Sequence, residues 1–485
     1  MNRISRRRFL ATSAAVAATT ILSTKLRAIG ANDDVRVAVI GLHGHGEEHM
    51  KVFPTIPGVR LVALCDVDDK VLGNAVKNAD GKGSKVTPYK DIRKLLENKD
   101  IDAIAIATPN HWHALMAVWG CQAGKDVYVE KPCSHEVWEG RKIVEASEKY
   151  NRIVQIGTQR RSDLEYRAAI KWIHDGNIGK ILYARGLCYK PRPSIGDVGK
   201  RLGPQPIPAG VDYDLWCGPA PMEPLMRKNL HYDWHWVWPT GNGDIGNQGV
   251  HEMDQCRWML GQETLPDRVF TFGGRFGYDD DATTPNTEVA IYDYKPAPLI
   301  FEVRGLPSKK GSTVMDAYKN LVRIGIHIQC ENGYYLAGEN GGWVYDNEDK
   351  KIKQFTQKGQ KDHQANFINA VRSRKQEDVM APILDGHYSS ALCHLGNISY
   401  RVGKQIPPTQ LEDQIKSDKL ATEAFERVKN HLMANGVDLT QSLPTLGPSL
   451  QFDPATERFV GTFSDEANKL VRREYRAPYV IPDQV

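Results

Sequence analysis

From residue 35 to about residue 157, short apolar runs alternate with amphipathic stretches, a rhythm that predicts strands separated by helices. Val35, Val37, Val39 and Ile40 mark the first strand. A second apolar run begins at Leu61 and ends at Cys65, just before Asp66. Residues 101–108 and 126–130 read as two more strands, and 153–156 closes the series. Between them, residues 113–123, stopped by Gly124, and residues 136–150 carry helical spacing. Strands alternating with helices argue for α/β architecture, a doubly wound parallel sheet.

A second unit begins near residue 159. Ser162 and Glu165 form a capping-box signature, and Leu164, Ala168, Ala169, Trp172 and Ile173 share one predicted helical face. β-rich segments follow at 180–189, 268–272, 288–294 and 299–303, and helices at 363–373 and 388–402 are expected near the domain seam. Residues 191–241, rich in Pro, Gly and aromatics, predict a long functional loop. A polar helix from 411, a Pro-flanked stretch at 444–454 and a closing helix before Arg476 complete the chain. The expected division is an export segment at 1–34, a nucleotide-binding domain at 35–158, a substrate and oligomerisation α/β domain at 159–405, and a helical tail at 406–485 packing on the body.

Composition narrows the field. With 41% hydrophobic and 25% charged residues the chain is ordinary globular protein, not a disordered one. The net charge of +4 comes partly from N-terminal arginines, and no basic run recurs in the body, which argues against nucleic acid as a partner. Ser5-Arg6-Arg7-Arg8-Phe9-Leu10, an apolar stretch at 11–22, then Lys25 and Arg27 match the twin-arginine export pattern. A basic flexible tail is the alternative. The segment is too short and polar for a comfortable membrane span, so no membrane span is expected in the mature protein, and a periplasmic or extracytoplasmic location follows. The eight cysteines include no C-x-x-C pair and read as small buried hydrophobes.

The candidate chemistry starts where the first strand meets Gly41, His43, Gly44 and Gly46. Glycines there let the backbone approach a dinucleotide pyrophosphate, the next helix offers free N–H groups, and Asp66 can accept the ribose hydroxyls. A carboxylate repels a 2′-phosphate, so NAD is favoured over NADP. His43 stands where the usual Gly-x-Gly-x-x-Gly pattern has its second glycine, which leaves the phosphate geometry open, as does a turn with no ligand. Glu130-Lys131-Pro132 ends a predicted strand on the same sheet edge. There a desolvated Lys131 has a lowered pKa and can relay a proton, whereas a solvated lysine would do nothing. His111 and His113, or His231 and His235, invite a metal reading, but no third ligand has fitting spacing and no metal is expected. Tyr232, Trp234, Trp236 and Trp238 are either core beneath the loop or rings that stack on a sugar, with Asp233 and Asn242 on its hydroxyls. Tyr189, Lys190 and Arg192 enter the same region.

The glycine turn, Thr108-Pro109-Asn110 with His113, Glu130-Lys131-Pro132, and Gly249, His251 and Asp254 together resemble the Gfo/Idh/MocA oxidoreductase family over residues 35 to about 402. Residues 212–221 and 231–238 look like an exported bacterial subgroup. The resemblance implies a Rossmann domain joined to an α/β domain whose large open, mostly antiparallel sheet lies over a nicotinamide. It implies NAD held by Gly41, His43, Gly44, Gly46, Asp66, Thr108, Pro109, Asn110, His113, Glu130 and Lys131. Residues matching Lys131 and His251 handle a substrate hydroxyl proton. Asn247 stands where the family often has an aspartate, four residues before the histidine on the same helical face. An amide orients a hydroxyl but takes no proton, so Asp244 or Glu252 could help. The expected function is hydride transfer between a retained NAD and a sugar or polyol secondary alcohol. NAD-dependent glycoside cleavage through transient sugar oxidation is the alternative, and a catalytically silent sugar-binding protein a third. Tyr189, Lys190, Arg192, Trp234, Trp236, Asp244, Asn247 and His251 are the expected substrate contacts. An exposed sheet face in the second domain would favour a dimer or tetramer.

Overall fold

The computed structural model describes residues 34–319, 322–338, 341–356 and 363–485, so the twin-arginine segment lies outside the described residues. The N-terminal sheet has six parallel strands: β1 (Val35–Ile40), β2 (Val59–Cys65), β3 (Thr87–Tyr89), β4 (Ala103–Ile106), β5 (Asp126–Val129) and β6 (Val154–Ile156). Their order is β3-β2-β1-β4-β5-β6, the doubly wound arrangement in which the order reverses beside β1 and ligands bind past the strand ends. β1, β4, β5 and β6 are almost wholly buried, which is why they read as mostly apolar runs. The helices Asn110–Gln122 and Val137–Lys149 fall close to the predicted spans.

The second sheet has twelve strands and is antiparallel apart from one parallel pair, β7 (Ile181–Tyr189) beside β10 (Leu299–Arg304). One face packs on the helices Gly249–Met259 and Ile383–Val402, through Val250, Met253, Ala391 and Leu395 against Phe301 and Tyr292. The same helix Ile383–Val402 packs on Val137–Lys149, and Phe367 and Ile368 of His363–Ser373 join the Rossmann core, so both helices build the seam.

Several expectations need correction. The helix Leu164–His174 is capped by Asp163, whose carboxylate accepts from the N–H groups of Glu165 and Tyr166; Ser162 instead bonds His363. Its buried stripe is Tyr166, Ala169, Ile170 and Ile173, because the large ring at 166 sets the phase and leaves Leu164 67% exposed.

The tail is not purely helical. Thr445–Leu446, Leu450–Asp453 and Arg458–Val460 are strands, and the first two pair with β8 (Arg268–Gly274). The tail helices Pro408–Ile415 and Lys419–Ala434 cover the other sheet face, placing Leu411, Ile415, Phe425, Val428 and Leu432 on Phe272, Val289, Ile291 and Ile300. The chain thus covers with its own tail much of the face that an oligomer was expected to use. Each such apolar side chain contributes about 1.5–3 kcal/mol on burial. The last residues return to the Rossmann domain, where Tyr479, Ile481 and Val485 pack into its core. All eight cysteines are buried and unpaired.

Candidate active site

β1 runs into a turn at Gly41, whose φ of +81° brings it against the backbone of the residue after β4; a Cβ there would lie 2.6 Å from Ala107 O. Gly46 sits in the first turn of the helix His45–Val52, and its missing side chain leaves room for the Gly41 carbonyl. A second positive φ in the turn falls on Gly44 (+49°), one residue past the position occupied by His43, and nothing lies within 4 Å of its absent side chain. The close-approach glycine is therefore displaced by one residue. Gly46→Ala would set a methyl 1.9 Å from Gly41 O. We expect it to cost about 1–3 kcal/mol and to lower the NAD content of the purified protein, read by urea melts and by absorbance of released nucleotide.

Asp66 closes the turn from β2. One carboxylate oxygen accepts from Leu42 N at 3.0 Å and the other from Asp68 N at 3.0 Å. Burial pushes its pKa up against these bonds. Asp68 and Asp69 add to the acidic rim, which favours a free 2′-hydroxyl over a phosphate.

A single cavity of about 400 Å³ runs from this turn to the second domain. Gly41, His43, Gly44, Asp66, Thr108, Pro109, Asn110, Glu130 and Lys131 line it from the Rossmann side, and Lys190, Arg192, Trp234, Asn247 and His251 from the other. The glycine turn, the helix start, the ribose-facing carboxylate and the cavity fit a dinucleotide.

Lys131 donates from Nζ to the Asn247 carbonyl at 2.8 Å, which ties the two domains across the cavity. Burial lowers its pKa below the ordinary lysine value, opposed by the charge of Glu130. The Lys131–Pro132 peptide is cis. Glu130 is held by His49 at 3.1 Å; burial raises its carboxyl, but the His49 bond and the His45 and Lys131 charges hold it well below the usual range. His251 lines the cavity with no side-chain hydrogen bond among the described residues, and burial together with Lys131 keeps its pKa well below 6.5. This favours the uncharged imidazole, which has one ring N–H to donate and one ring nitrogen to accept a hydrogen bond.

The two short helices Gly243–Asn247 and Gly249–Met259 break at Gln248, so Asn247 and His251 do not share one continuous helical face. Asn247 reaches Lys131 through its carbonyl, a contact that does not depend on its amide. Asp254 is bound by Arg161 at 2.9 and 3.0 Å and by Ser389 at 2.7 Å; it anchors the His251 helix to the seam.

Other predicted residues lie elsewhere or are already engaged. His113 is buried, with its ring nitrogens on Pro132 O (2.6 Å) and Thr108 O (2.7 Å), so it ties the two loops together behind the cavity. Tyr189 turns away and donates to Glu302 at 2.7 Å beneath the tail helix. Asp244 is taken up by a two-pronged pair with Arg192 at 2.6 and 2.8 Å. Trp236 carries that guanidinium 4.9 Å above its ring and faces a smaller neighbouring recess. Asp233 accepts from Asn229 N at 3.1 Å, and Asn242 links Asn110 (2.9 Å), His135 O and Asn397. Burial pushes Glu252 up to about 8, with Gln248 as its hydrogen-bond donor. Among the described residues no three His, Cys, Asp or Glu side chains gather to hold a metal.

Sequence reasoning missed His45 and Gln248, which also line the cavity, and it weighed His231 and His235 only as metal ligands and Tyr232 as a core or sugar-stacking ring. The His43/His45 alternation in the glycine turn was a visible signal for His45; His231, Tyr232 and His235 lie in a loop with no periodicity. That loop forms a strap. Gly210 O accepts from Asp69 N, Asp212 N donates to Val67 O, and His231 pairs with Asp68 at 3.0 Å. Trp112 donates to Leu215 O and His111 bonds Trp216 O, fixing the strap over the Asp66 end.

This is the architecture of an NAD-binding Rossmann domain joined to an α/β domain. Residues 35–158 match the Gfo/Idh/MocA oxidoreductase family's NAD-binding Rossmann fold, and residues 194–287 match its C-terminal alpha/beta domain. A glycosyl hydrolase family 109 protein of Saccharopolyspora erythraea is 33% identical over 33% of this chain and 36% of that protein. The scyllo-inositol 2-dehydrogenase (NAD(+)) of Bacillus subtilis is 35% identical over 37% of this chain and 52% of that protein. The chain thus aligns with only about a third to a half of these relatives' length. The WlbA dehydrogenase of Bordetella pertussis, solved with NADH and UDP-GlcNAcA, shares the fold (TM-score 0.54, 20% identity, 75% of this chain and 95% of that one).

Proposed function

We propose that this chain transfers hydride between a retained NAD and a secondary alcohol of a sugar or polyol. The observation that carries the reading is that Lys131, Asn247 and His251, from two domains, face one cavity that begins at the glycine turn. NAD bound there supplies the hydride acceptor and donor. Lys131 Nζ, when unprotonated, takes the hydroxyl proton and returns it in the reverse direction. Neutral His251 steadies the same hydroxyl by donating its ring N–H to the hydroxyl oxygen. Asn247 O fixes the lysine amine, and Thr108, Pro109 and the strap keep water out.

The strap over the Asp66 end supports retention of the cofactor, because coenzyme leaving would have to part several hydrogen bonds. Retention in turn suits work outside the cytoplasm, which the Arg6-Arg7-Arg8 segment suggests, where free NAD is scarce.

A second reading is NAD-dependent glycoside cleavage, favoured by the family 109 relative. Oxidising a ring carbon acidifies the neighbouring C–H, a glycosidic group is eliminated, and the sugar is reduced again. With no NAD added, carbonyl exchange between paired aldoses and ketones supports the first reading, and release of an aryl group from aryl glycosides the second. Silence in both assays contradicts the two together.

The pH profile follows from Lys131. Its lowered pKa means the free base forms below the ordinary lysine value of 10.5. Alcohol oxidation is expected to rise with pH through that lowered pKa and then level off. A profile flat from pH 6 to 10 would contradict a lysine base.

A further inference from the structure

The charges at the sugar end of the cavity do not balance, and the imbalance identifies a class of substrate. Glu130 is committed to His49, and Asp244 is neutralised by Arg192. Glu252 accepts from Gln248 and, pushed up to about 8 by burial, is mostly uncharged near pH 7. Lys190 comes off the end of β7 and donates from Nζ only to the neutral amide oxygen of Gln248, at 3.2 Å. It forms no ion pair with a described acid. Lys131 donates only to the Asn247 carbonyl among the described residues; the Glu130 charge favours its protonated form and the Lys190 charge opposes it. Arg160 makes no ion pair among the described residues either, and its charge reaches His251 and Glu252.

An oxidised nicotinamide adds one more positive charge to this end. Lys190, which lines the cavity and donates only to a neutral amide, carries a charge that is costly in a partly desolvated site until a counter-charge arrives. Arg192 shows what a satisfied cation looks like here, and Lys190 lacks such a partner.

We propose that the site takes an anionic sugar, whose negative group binds Lys190 while the hydroxyl to be oxidised lies at Lys131 and His251. The proposal rests on the sugar-oxidoreductase reading and narrows it. The anion can be a carboxylate on the sugar, as in a uronic or aldonic acid, or a phosphate ester.

The test is calorimetric titration of the purified protein, with its bound cofactor, at low and high salt. The probes are D-glucuronate and D-galacturonate, the matching 6-phosphates, and D-glucose and D-galactose. A charge-assisted bond predicts at least one anionic sugar binding about 10- to 100-fold tighter than its neutral counterpart, with the gap narrowing in salt. Tighter binding by uronates assigns a carboxylate, and by the 6-phosphates a phosphate. In Lys190→Met the ratio of anionic to neutral affinity should fall to within about twofold, a ratio that a general loss of folding would not produce. Equal affinity in the wild type, or a preference that survives in Lys190→Met, overturns the proposal. Neutral sugars that bind and react with no anionic advantage would leave the oxidoreductase reading standing. Failure of every sugar to bind would overturn both.

Discussion

Lys131→Met is expected to lower turnover by about 10²-fold or more while the protein keeps its NAD. Methionine keeps an unbranched apolar stem of similar length, so it fills the same space but has no proton to take or give. Among the described residues the only hydrogen bond lost is that from Nζ to Asn247 O, which water at the cavity rim can replace, so stability should change by less than about 1 kcal/mol. The rising limb of the pH profile should vanish with the amine. Near-normal turnover would remove Lys131 from the chemistry. Loss of NAD with intact turnover per bound cofactor would reassign it to cofactor binding.

The second large effect lies away from the cavity. Glu302 is fully buried in β10 and accepts from Arg185, Arg427 and Tyr189, with Arg304 also near it. Arg427 belongs to the tail helix Lys419–Ala434, so this cluster locks the tail onto the sheet. The apolar contacts there supply the attraction; a buried ion pair roughly breaks even, but removing one partner leaves charge uncompensated. Glu302→Gln is therefore expected to cost about 3–5 kcal/mol, read as a lower urea midpoint at pH 7. Burial raises the Glu302 pKa, yet the arginines hold it down at about 2. A depressed carboxylate stabilises above its unfolded pKa near 4.3 and loses that contribution as pH falls towards 2. The wild type should lose stability across that window and the variant much less. A midpoint unchanged by the substitution would show that the cluster does not fasten the tail.

How much of this was legible in the sequence depends on how local the signal was. β1, β2, β4, β5 and β6 are short, mostly apolar runs beside turn residues, and the doubly wound parallel class follows from their alternation with helices. The glycine turn, Asp66 and Glu130-Lys131-Pro132 are contiguous motifs, and the structure brings them to one sheet edge. The strands Ile324–Cys330 and Gly333–Gly338 escaped notice because Gly325, Gly333 and Gly338 interrupt their apolar pattern. The tail strand Leu450–Asp453 did carry alternation, Leu450 and Phe452 inward with Gln451 outward, but the flanking prolines suggested a loop. Tyr189 looked like a pocket residue because it ends a strand near the loop; only the pairing of β7 with β10 directs it to Glu302. The partners of Asp254 and Asp244 lie 93 and 52 residues away, a distance over which no periodicity speaks.

Mass spectrometry of nicotinamide coenzyme released by denaturing the protein, after incubation with ring-deuterated hexoses and hexuronates and no added NAD, tests hydride transfer at this cavity most directly. The account predicts one dinucleotide bound per chain, part of it reduced and carrying a single deuterium transferred from carbon as deuteride. Release of no dinucleotide, or of reduced dinucleotide carrying only hydrogen, would contradict it.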